Sequence, residues 1–169
     1  MQLVLASASP RRRELLGRLG IPFDVVPSDV PEEPQPGEHA AAFAARLARA
    51  KAEAVARRFT GAVVLAADTI VVNDGVIYGK PRDRDDARTM LRRLAGVEHE
   101  VMTAVAVLGP KGLAESVVRS RVAFHPIDAA DLEAYLDTAE PYDKAGAYAL
   151  QGLAGRFVRS LEGSRSNVI

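Results

Sequence analysis

Two serines, a proline and three arginines follow one another in Ser7-Ala8-Ser9-Pro10-Arg11-Arg12-Arg13, directly after the apolar run Leu3-Val4-Leu5-Ala6. Ser9 can cap a helix whose first position is Pro10, where the missing N–H costs nothing. A strand then feeds straight into a helix, and the hydroxyl-bearing turn faces free backbone N–H groups and the positive end of the helix dipole. That dipole disfavours cations in the first turn, where Asp or Glu would be the expected residues. A bound anion, such as a phosphate chain, would offset the cost. The competing reading is surface pairing of single arginines with acids, since adjacent residues on a helix point in different directions.

A second group with chemical potential is Ala66-Ala67-Asp68-Thr69, set between Val63-Val64-Leu65 and Ile70-Val71-Val72. An unpaired carboxylate in a buried strand is costly, so Asp68 must be hydrogen-bonded, bind a metal or lie where the strand meets a cleft. An acid at a strand edge suits a hard divalent cation, which prefers oxygen ligands. The structural alternative is an Asp held by a nearby arginine or by a bulge. Thr69 adds a hydroxyl.

Gly79-Lys80-Pro81 holds a lysine between a flexible and a rigid residue, a poor packing element but a well-placed point charge. The chain has 18 Arg and only four Lys, so Lys51, Lys80, Lys111 and Lys144 stand out. Lys111 sits in a solvent turn; the other three fall on or beside the candidate segments, where a compact ammonium can meet a phosphate. In Asp143-Lys144-Ala145-Gly146-Ala147-Tyr148-Ala149-Leu150-Gln151-Gly152, small residues permit close approach of a ligand. Gln151 offers both donors and an acceptor to a base edge. Taken alone, this stretch is equally an ordinary loop.

The elements that must position these residues mix strands and helices. Strands are expected at 2–6, 23–28, 62–72, 76–78, 99–108, 113–124 and 156–161, and helices at 10–19, 38–58, 83–94 and 129–138. Phe43, Leu47, Ala50, Ala54 and Val55 mark the inner face of the Ala-rich second helix. Asn73-Asp74-Gly75 and Gly109-Pro110-Lys111-Gly112 read as hairpin turns, and 140–155 as a Gly-rich loop. Strands that both alternate with helices and pair in hairpins predict a mixed sheet.

At 169 residues the chain can bury one sizeable core or two closely packed lobes. A net charge of zero gives no global field to recruit nucleic acid or an anionic membrane. With 5% aromatic residues there are few stacking platforms for single strands. The chain has no cysteine, which excludes disulfides and thiolate chemistry and fits a reducing cytoplasm. His39, His99 and His125 lack metal-ligand spacing and read as structural or surface residues. Neither a signal peptide nor a run of membrane-spanning length is present, so the expectation is a soluble cytoplasmic protein.

Four of these segments, in this order, resemble the Maf family of nucleoside triphosphate pyrophosphatases: Ser7-Ala8-Ser9-Pro10-Arg11-Arg12, Ala67-Asp68-Thr69, Gly79-Lys80-Pro81, and Asp143 to Tyr148 with Gln151-Gly152. The resemblance covers essentially the whole chain and implies an α/β fold related to that of the inosine triphosphatases: a mixed twisted sheet with flanking helices, and two lobes around a central cleft. It implies a single domain over residues 1–169. It assigns phosphate binding to Ser7, Arg12, Lys51 and Lys80, and metal and water activation to Glu32 and Asp68. Glu33 is held in reserve, because Pro31 shifts the usual acidic pair.

The same resemblance implies hydrolysis between the α and β phosphates with a divalent cation, Mg²⁺ or Mn²⁺. One branch of the family cleaves dTTP and UTP, and another prefers 7-methyl-GTP. This sequence looks like the pyrimidine branch, in which Arg11, Thr69 and Gln151 bear on specificity. A methylated purine substrate, or a non-catalytic nucleotide-binding regulator of cell division, is the alternative. The implied partner is the nucleotide alone, with a homodimer left open. The family continues beyond Ser166-Asn167-Val168 with a Gly-Leu-Pro segment and a helix, so a chain stopping at Ile169 reads as truncated.

Overall fold

In the computed structural model, which describes residues 1–169 throughout, the N-terminal apolar run forms β1 (Leu3–Leu5) and leads into α1 (Pro10–Gly17). Ser9 caps this helix: its side chain accepts from the Arg12 N–H, and Pro10 occupies the first turn. The order continues with β2 (Asp24–Val25), α2 (Ala40–Ala56), β3 (Val63–Asn73), β4 (Val76–Tyr78) and α3 (Arg84–Leu94). Then come β5 (Glu98–Gly109), β6 (Gly112–Phe124), α4 (Ala129–Leu136), β7 (Val158–Gly163) and the short α5 (Arg165–Val168).

The sheet is mixed, as expected. Its order is β2-β1-β3-β5-β6-β7, with β4 also paired to β3. β1 runs parallel to both β2 and β3, whereas β4 is antiparallel to β3 and β7 to β6. The β3–β4 hairpin turns through Asp74 and Gly75, both at positive φ (49° and 74°), the geometry that an Asp-Gly pair tolerates best.

Two compact units emerge: Met1–Asp68 with Thr103–Val117, and Thr69–Met102 with Val118–Ile169. In the first unit, Val4, Leu5 and Val64 of the sheet are fully buried, and α2 contributes Phe43, Ala44, Leu47, Ala48, Ala52 and Val55. The buried face of α2 therefore corrects the expected one. Ala50 and Ala54 are only half-buried, and the stripe passes through Ala48, Lys51 and Ala52 instead. The period set by Phe43, Leu47 and Val55 brings position 51 inward, and alanine, being neutral between core and surface, is a poor marker of a face.

The core of the second unit is richer in aromatic rings. Tyr135, Phe157, Phe124 and Tyr148 pack with Leu91, Leu94 and Leu136. Phe124 meets Tyr148 edge-on at 4.8 Å, and Tyr135 meets Phe157 in the same way at 5.4 Å. α3 is capped by Asp83, whose side chain accepts from the Asp86 N–H, and it ends in Arg92 and Arg93, in accord with its dipole.

Some expectations required adjustment. The second strand shrinks from 23–28 to Asp24–Val25, because the prolines flanking it supply no N–H to extend a ladder. The loop at 140–155 contains three short 3₁₀ turns, Glu140–Asp143, Ala145–Ala147 and Leu153–Phe157. The last strand begins at Val158, and the terminal turn Arg165–Val168 lies outside every expected element.

Candidate active site

Asp68 is buried near the middle of β3, and its partner is a lysine. Lys51 Nζ donates to Asp68 Oδ1 at 2.6 Å and lies 2.7 Å from Glu32 Oε1. Lys51 projects from the apolar stripe of α2 between Leu47 and Val55, so helical phase alone carries its ammonium to the sheet. Its side chain and that of Asp68 are nearly buried, at 9% and 7% exposure, while that of Glu32 is 43% exposed. One ammonium thus bridges two carboxylates at the edge of solvent.

Arg12 reaches the same stretch of β3. Its Nη1 donates to the carbonyl of Ala67 at 2.7 Å and lies 3.4 Å from Ser7 Oγ. Ser7 is itself buried and accepts from the Ser9 N–H at 3.1 Å. The strand-to-helix turn and the residue next to Asp68 are joined by one guanidinium. Burial draws the Arg12 guanidinium below its ordinary pKa, against the opposing attraction of Asp68 and Glu32.

Burial also raises the Asp68 carboxyl above the usual range, opposed by the charge and hydrogen bond of Lys51 and reinforced by Glu32. A carboxylate so placed is more basic than one in water. Glu32 and Glu33 separate clearly. The former meets Lys51, and the latter uses its backbone carbonyl to accept from Arg46 Nη2 at 2.9 Å.

The residues brought together in the first unit are therefore Ser7, Arg12, Glu32, Lys51 and Asp68. Arg11 is half-buried on α1, one residue before Arg12. A groove of about 470 Å³ beside the turn is lined by Ser7, Ser9, Pro10, Arg13, Glu14 and Phe23, among others, and includes neither Lys51 nor Asp68. It meets this cluster only at Ser7.

Thr69, Lys80 and Gln151 belong to the second unit. Thr69 is half-buried on β3, and Lys80 and Gln151 are exposed on loops. The Gly79 carbonyl accepts from the Gly146 N–H at 3.1 Å, which brings the Gly-Lys-Pro loop beside the Asp143–Tyr148 segment. Close packing explains the small residue there: a Cβ on Gly146 would lie 2.9 Å from Val71 Cγ2, and its φ is +68°. Lys144 is held by Asp143 Oδ1 at 2.6 Å and the Glu140 carbonyl at 3.3 Å.

One residue of this loop escaped the sequence reading. The Glu140 carboxylate accepts from the N–H groups of Leu153 and Ala154, at 2.9 and 3.1 Å. The only available signal was an acid placed just before a proline and upstream of a Gly-rich stretch, which is too common to single out.

The profile of the family described as "Maf-like protein" matches residues 2–169. The chain belongs to the Maf family. Three curated relatives are each 52% identical over 99% of this chain and are named dTTP/UTP pyrophosphatase. They come from Anaeromyxobacter dehalogenans (strain 2CP-C), Geobacter sulfurreducens and Myxococcus xanthus, and the matches cover 87%, 89% and 85% of their respective lengths.

The Maf chain also shares its fold with two solved structures. The Staphylococcus aureus Ham1 protein matches with a TM-score of 0.55 and 15% identity over 99% of this chain and 94% of that one. A nucleoside-triphosphatase / dITP/XTP pyrophosphatase from Mycobacterium abscessus matches with a TM-score of 0.50 and 21% identity, covering 76% and 77%. The expected kinship with the inosine triphosphatase fold is met. No helix of this Maf protein is long and apolar enough to cross a membrane.

Proposed function

We propose that this protein hydrolyses dTTP and UTP between the α and β phosphates, releasing the nucleoside monophosphate and pyrophosphate. The observation that carries the reading is the convergence of Asp68 and Glu32 on Lys51, at 2.6 and 2.7 Å. It gains support from Arg12 anchored beside it on the Ala67 carbonyl, in a chain half identical to relatives named for that activity.

Each side chain has a task suited to its chemistry. Asp68, a carboxylate made more basic by burial, orients and deprotonates the attacking water. Arg12 and Lys51, with Ser7 at the helix start, neutralise and position the phosphates. The exposed Lys80 takes the role of a further phosphate cation, and Arg11, Thr69 and Gln151 that of selecting the base. Little covalent catalysis is required, because positioning and charge neutralisation carry most of such a displacement.

The donor set fits a hard divalent ion. Two carboxylates already converge on one cation, and their oxygens suit Mg²⁺ or Mn²⁺. No cluster of three or more His, Cys, Asp or Glu residues occurs, so substrate phosphates and water must complete its shell. Glu32 and Asp68 would hold the ion, and bound there it would supply charge neutralisation at the phosphates and a more acidic water. In this reading the enzyme works in the cytoplasm on free nucleotides.

A nucleotide panel tests it: purified protein, pyrophosphate detection, with and without added Mg²⁺ or Mn²⁺. UTP and dTTP are expected to be cleaved at similar rates, well above ATP and 7-methyl-GTP. A panel led by 7-methyl-GTP would overturn the substrate assignment, and release of orthophosphate instead of pyrophosphate would overturn the reaction.

A further inference from the structure

Gln151 lies on an exposed stretch with no long regular element to hold it, yet base reading demands a fixed amide. The loop around it is organised by one side chain. Glu140, half-buried, sends Oε1 to the Leu153 N–H at 2.9 Å and Oε2 to the Ala154 N–H at 3.1 Å. These are the first two N–H groups of the 3₁₀ turn Leu153–Phe157, which have no partner within the turn itself. A carboxylate meets both the hydrogen-bonding need and the dipole at that position.

The backbone is shaped around the same carboxylate. An added Cβ on Gly152 would lie 1.9 Å from Glu140 Oε1, so glycine is needed there to leave room for the carboxylate, whatever its φ. On the other side, a Cβ on Gly155 would lie 2.8 Å from the Leu150 carbonyl, and the Gly155 N–H donates to the Gly152 carbonyl at 3.1 Å. Residues 150–155 therefore form a tight loop pinned at one point by Glu140 and anchored by the buried Ala154 and Phe157.

Glu140 is well placed to act as that pin because its own backbone is fixed. Its N–H donates to Thr138 Oγ1 at 3.4 Å, its carbonyl accepts from Lys144 Nζ at 3.3 Å, and Pro141 beside it is buried. The segment upstream of Gln151 is held too, since the Tyr135 hydroxyl donates to the Ala147 carbonyl at 3.0 Å. The Glu140 carboxylate also faces the Tyr135 hydroxyl, so one side chain supports the chain on both sides of Gln151 and its displacement loosens that residue's setting.

We infer that Glu140 is a positioning residue for nucleotide selection: by clamping the N–H groups of Leu153 and Ala154 it fixes Gln151 against the base. The inference rests on the base-reading role given to Gln151 above. Glu140 itself touches neither phosphate nor base in this scheme. Its loss therefore lowers discrimination between nucleotides more than it slows hydrolysis.

The test compares kcat and KM for UTP, dTTP, ATP and 7-methyl-GTP in the full chain and its variants, with melting curves for each. Glu140→Ala is expected to reduce the preference for UTP over ATP about 10- to 100-fold, mainly through a higher KM for UTP. Glu140→Gln, which keeps one acceptor oxygen, falls between wild type and Ala. Gly152→Ala reproduces the Glu140→Ala profile by pushing the carboxylate aside, and it supplies a second route should Glu140→Ala fold poorly. Combining Glu140→Ala with Gln151→Ala gives no further loss of preference beyond Gln151→Ala alone.

Gln151→Ala by itself separates the two claims. If it leaves the preference unchanged, Gln151 does not read the base, and the role of Glu140 in selection falls with it. If Gln151→Ala erodes the preference while Glu140→Ala and Gly152→Ala slow all nucleotides alike or lower only Tm, the clamp is structural and the inference is overturned on its own.

Discussion

The two units each contain a network of opposite charges, and they differ in the one variable that governs what such a network does. In the first, Lys51, Asp68 and Glu32 meet where two of the three side chains are under 10% exposed. In the second, Arg84 and Arg88 of α3 share Glu133 of α4, with Asp137 and Asp85 adding further contacts, all of them 21–89% exposed. Water screens the second set, so it contributes modestly to holding α3 to α4. Desolvation makes the first set costly as well as strong. A fold can retain a costly buried network where its charges are useful, and in the proposed function the phosphates of the nucleotide supply the use.

The pKa directions tell the same story. Glu133 is drawn down to about 2 by its hydrogen bonds to Arg88 and Arg84, the behaviour of an acid satisfied by its partners. Asp68 moves up despite Lys51, because burial outweighs the pairing. One carboxylate is committed to structure. The other is the one to which the proposed function gives the reactive role.

The contrast breaks most sharply at Asp68. Asp68→Asn keeps the shape and removes the charge, and turnover of dTTP should fall by at least about 100-fold. Melting temperature should fall less than for loss of Lys51, since Lys51 keeps Glu32 as a partner and burial already works against the charged form of Asp68. A near-wild-type rate would make the cluster as structural as the one on α3 and α4.

Lys51→Met comes next. It leaves Asp68 and Glu32 without their shared ammonium and should cost about 3 kcal/mol in a urea titration, the scale on which a broken buried pair is felt. A loss no larger than that of a surface ion pair would show that the first network is solvated after all.

Arg12→Ala and Lys80→Ala sharpen the functional side. Each should weaken binding of the triphosphate more than the monophosphate, by about 1.5–3 kcal/mol per charge-assisted contact. Titration calorimetry with both ligands measures the difference, and equal losses would move these cations away from the β and γ phosphates.

A smaller effect concerns His99, a buried group of the second unit without a charged partner. Its Nε2 is 2.7 Å from the Tyr148 hydroxyl, and burial lowers its pKa from 6.5 to about 4. The folded state thus favours neutral imidazole, and the unfolded state binds the proton more readily. Stability is complete above pH 6.5 and is lost as pH falls through that value toward about 4. His99→Gln should flatten the slope of Tm against pH across this window, and an unchanged slope would assign the acid loss to other groups.

The smallest effect is expected on the exposed network. Glu133→Gln should lower Tm by only about 1–3 °C, less in high salt, with no change in kcat. Because the Glu133 pKa is depressed, its contribution is present above the ordinary carboxylate range and fades as pH drops toward about 2. A fall as large as that of Lys51→Met would erase the distinction between the units.

Much of the fold was readable because its signals are local. The cap at Ser9 with Pro10 and the Asp74-Gly75 turn each depend on residues within one turn of themselves, and each appears where its sequence places it. The inner face of α2 was less readable. Its alanines fit core and surface alike, and the buried lysine at position 51 hid the stripe that Phe43, Leu47 and Val55 define. The 3₁₀ turns within 140–155 were not legible, since short turns without periodicity leave no pattern.

The chain's own residues determined that a strand would run into a basic, serine-capped helix, and that an aspartate would sit inside an apolar strand in need of a partner. Only the tertiary structure decided which partners these groups take. Asp68 could have met an arginine or a bulge and instead met Lys51, 17 residues away; Arg12 found the Ala67 carbonyl, 55 residues away. Glu32 rather than Glu33 turned its carboxylate to that lysine, and Glu140 closed on N–H groups 13 and 14 residues downstream. Capping and turn formation are settled by backbone sterics over three or four positions. Charges on separate elements meet only once strand order and helix phase have placed those elements side by side.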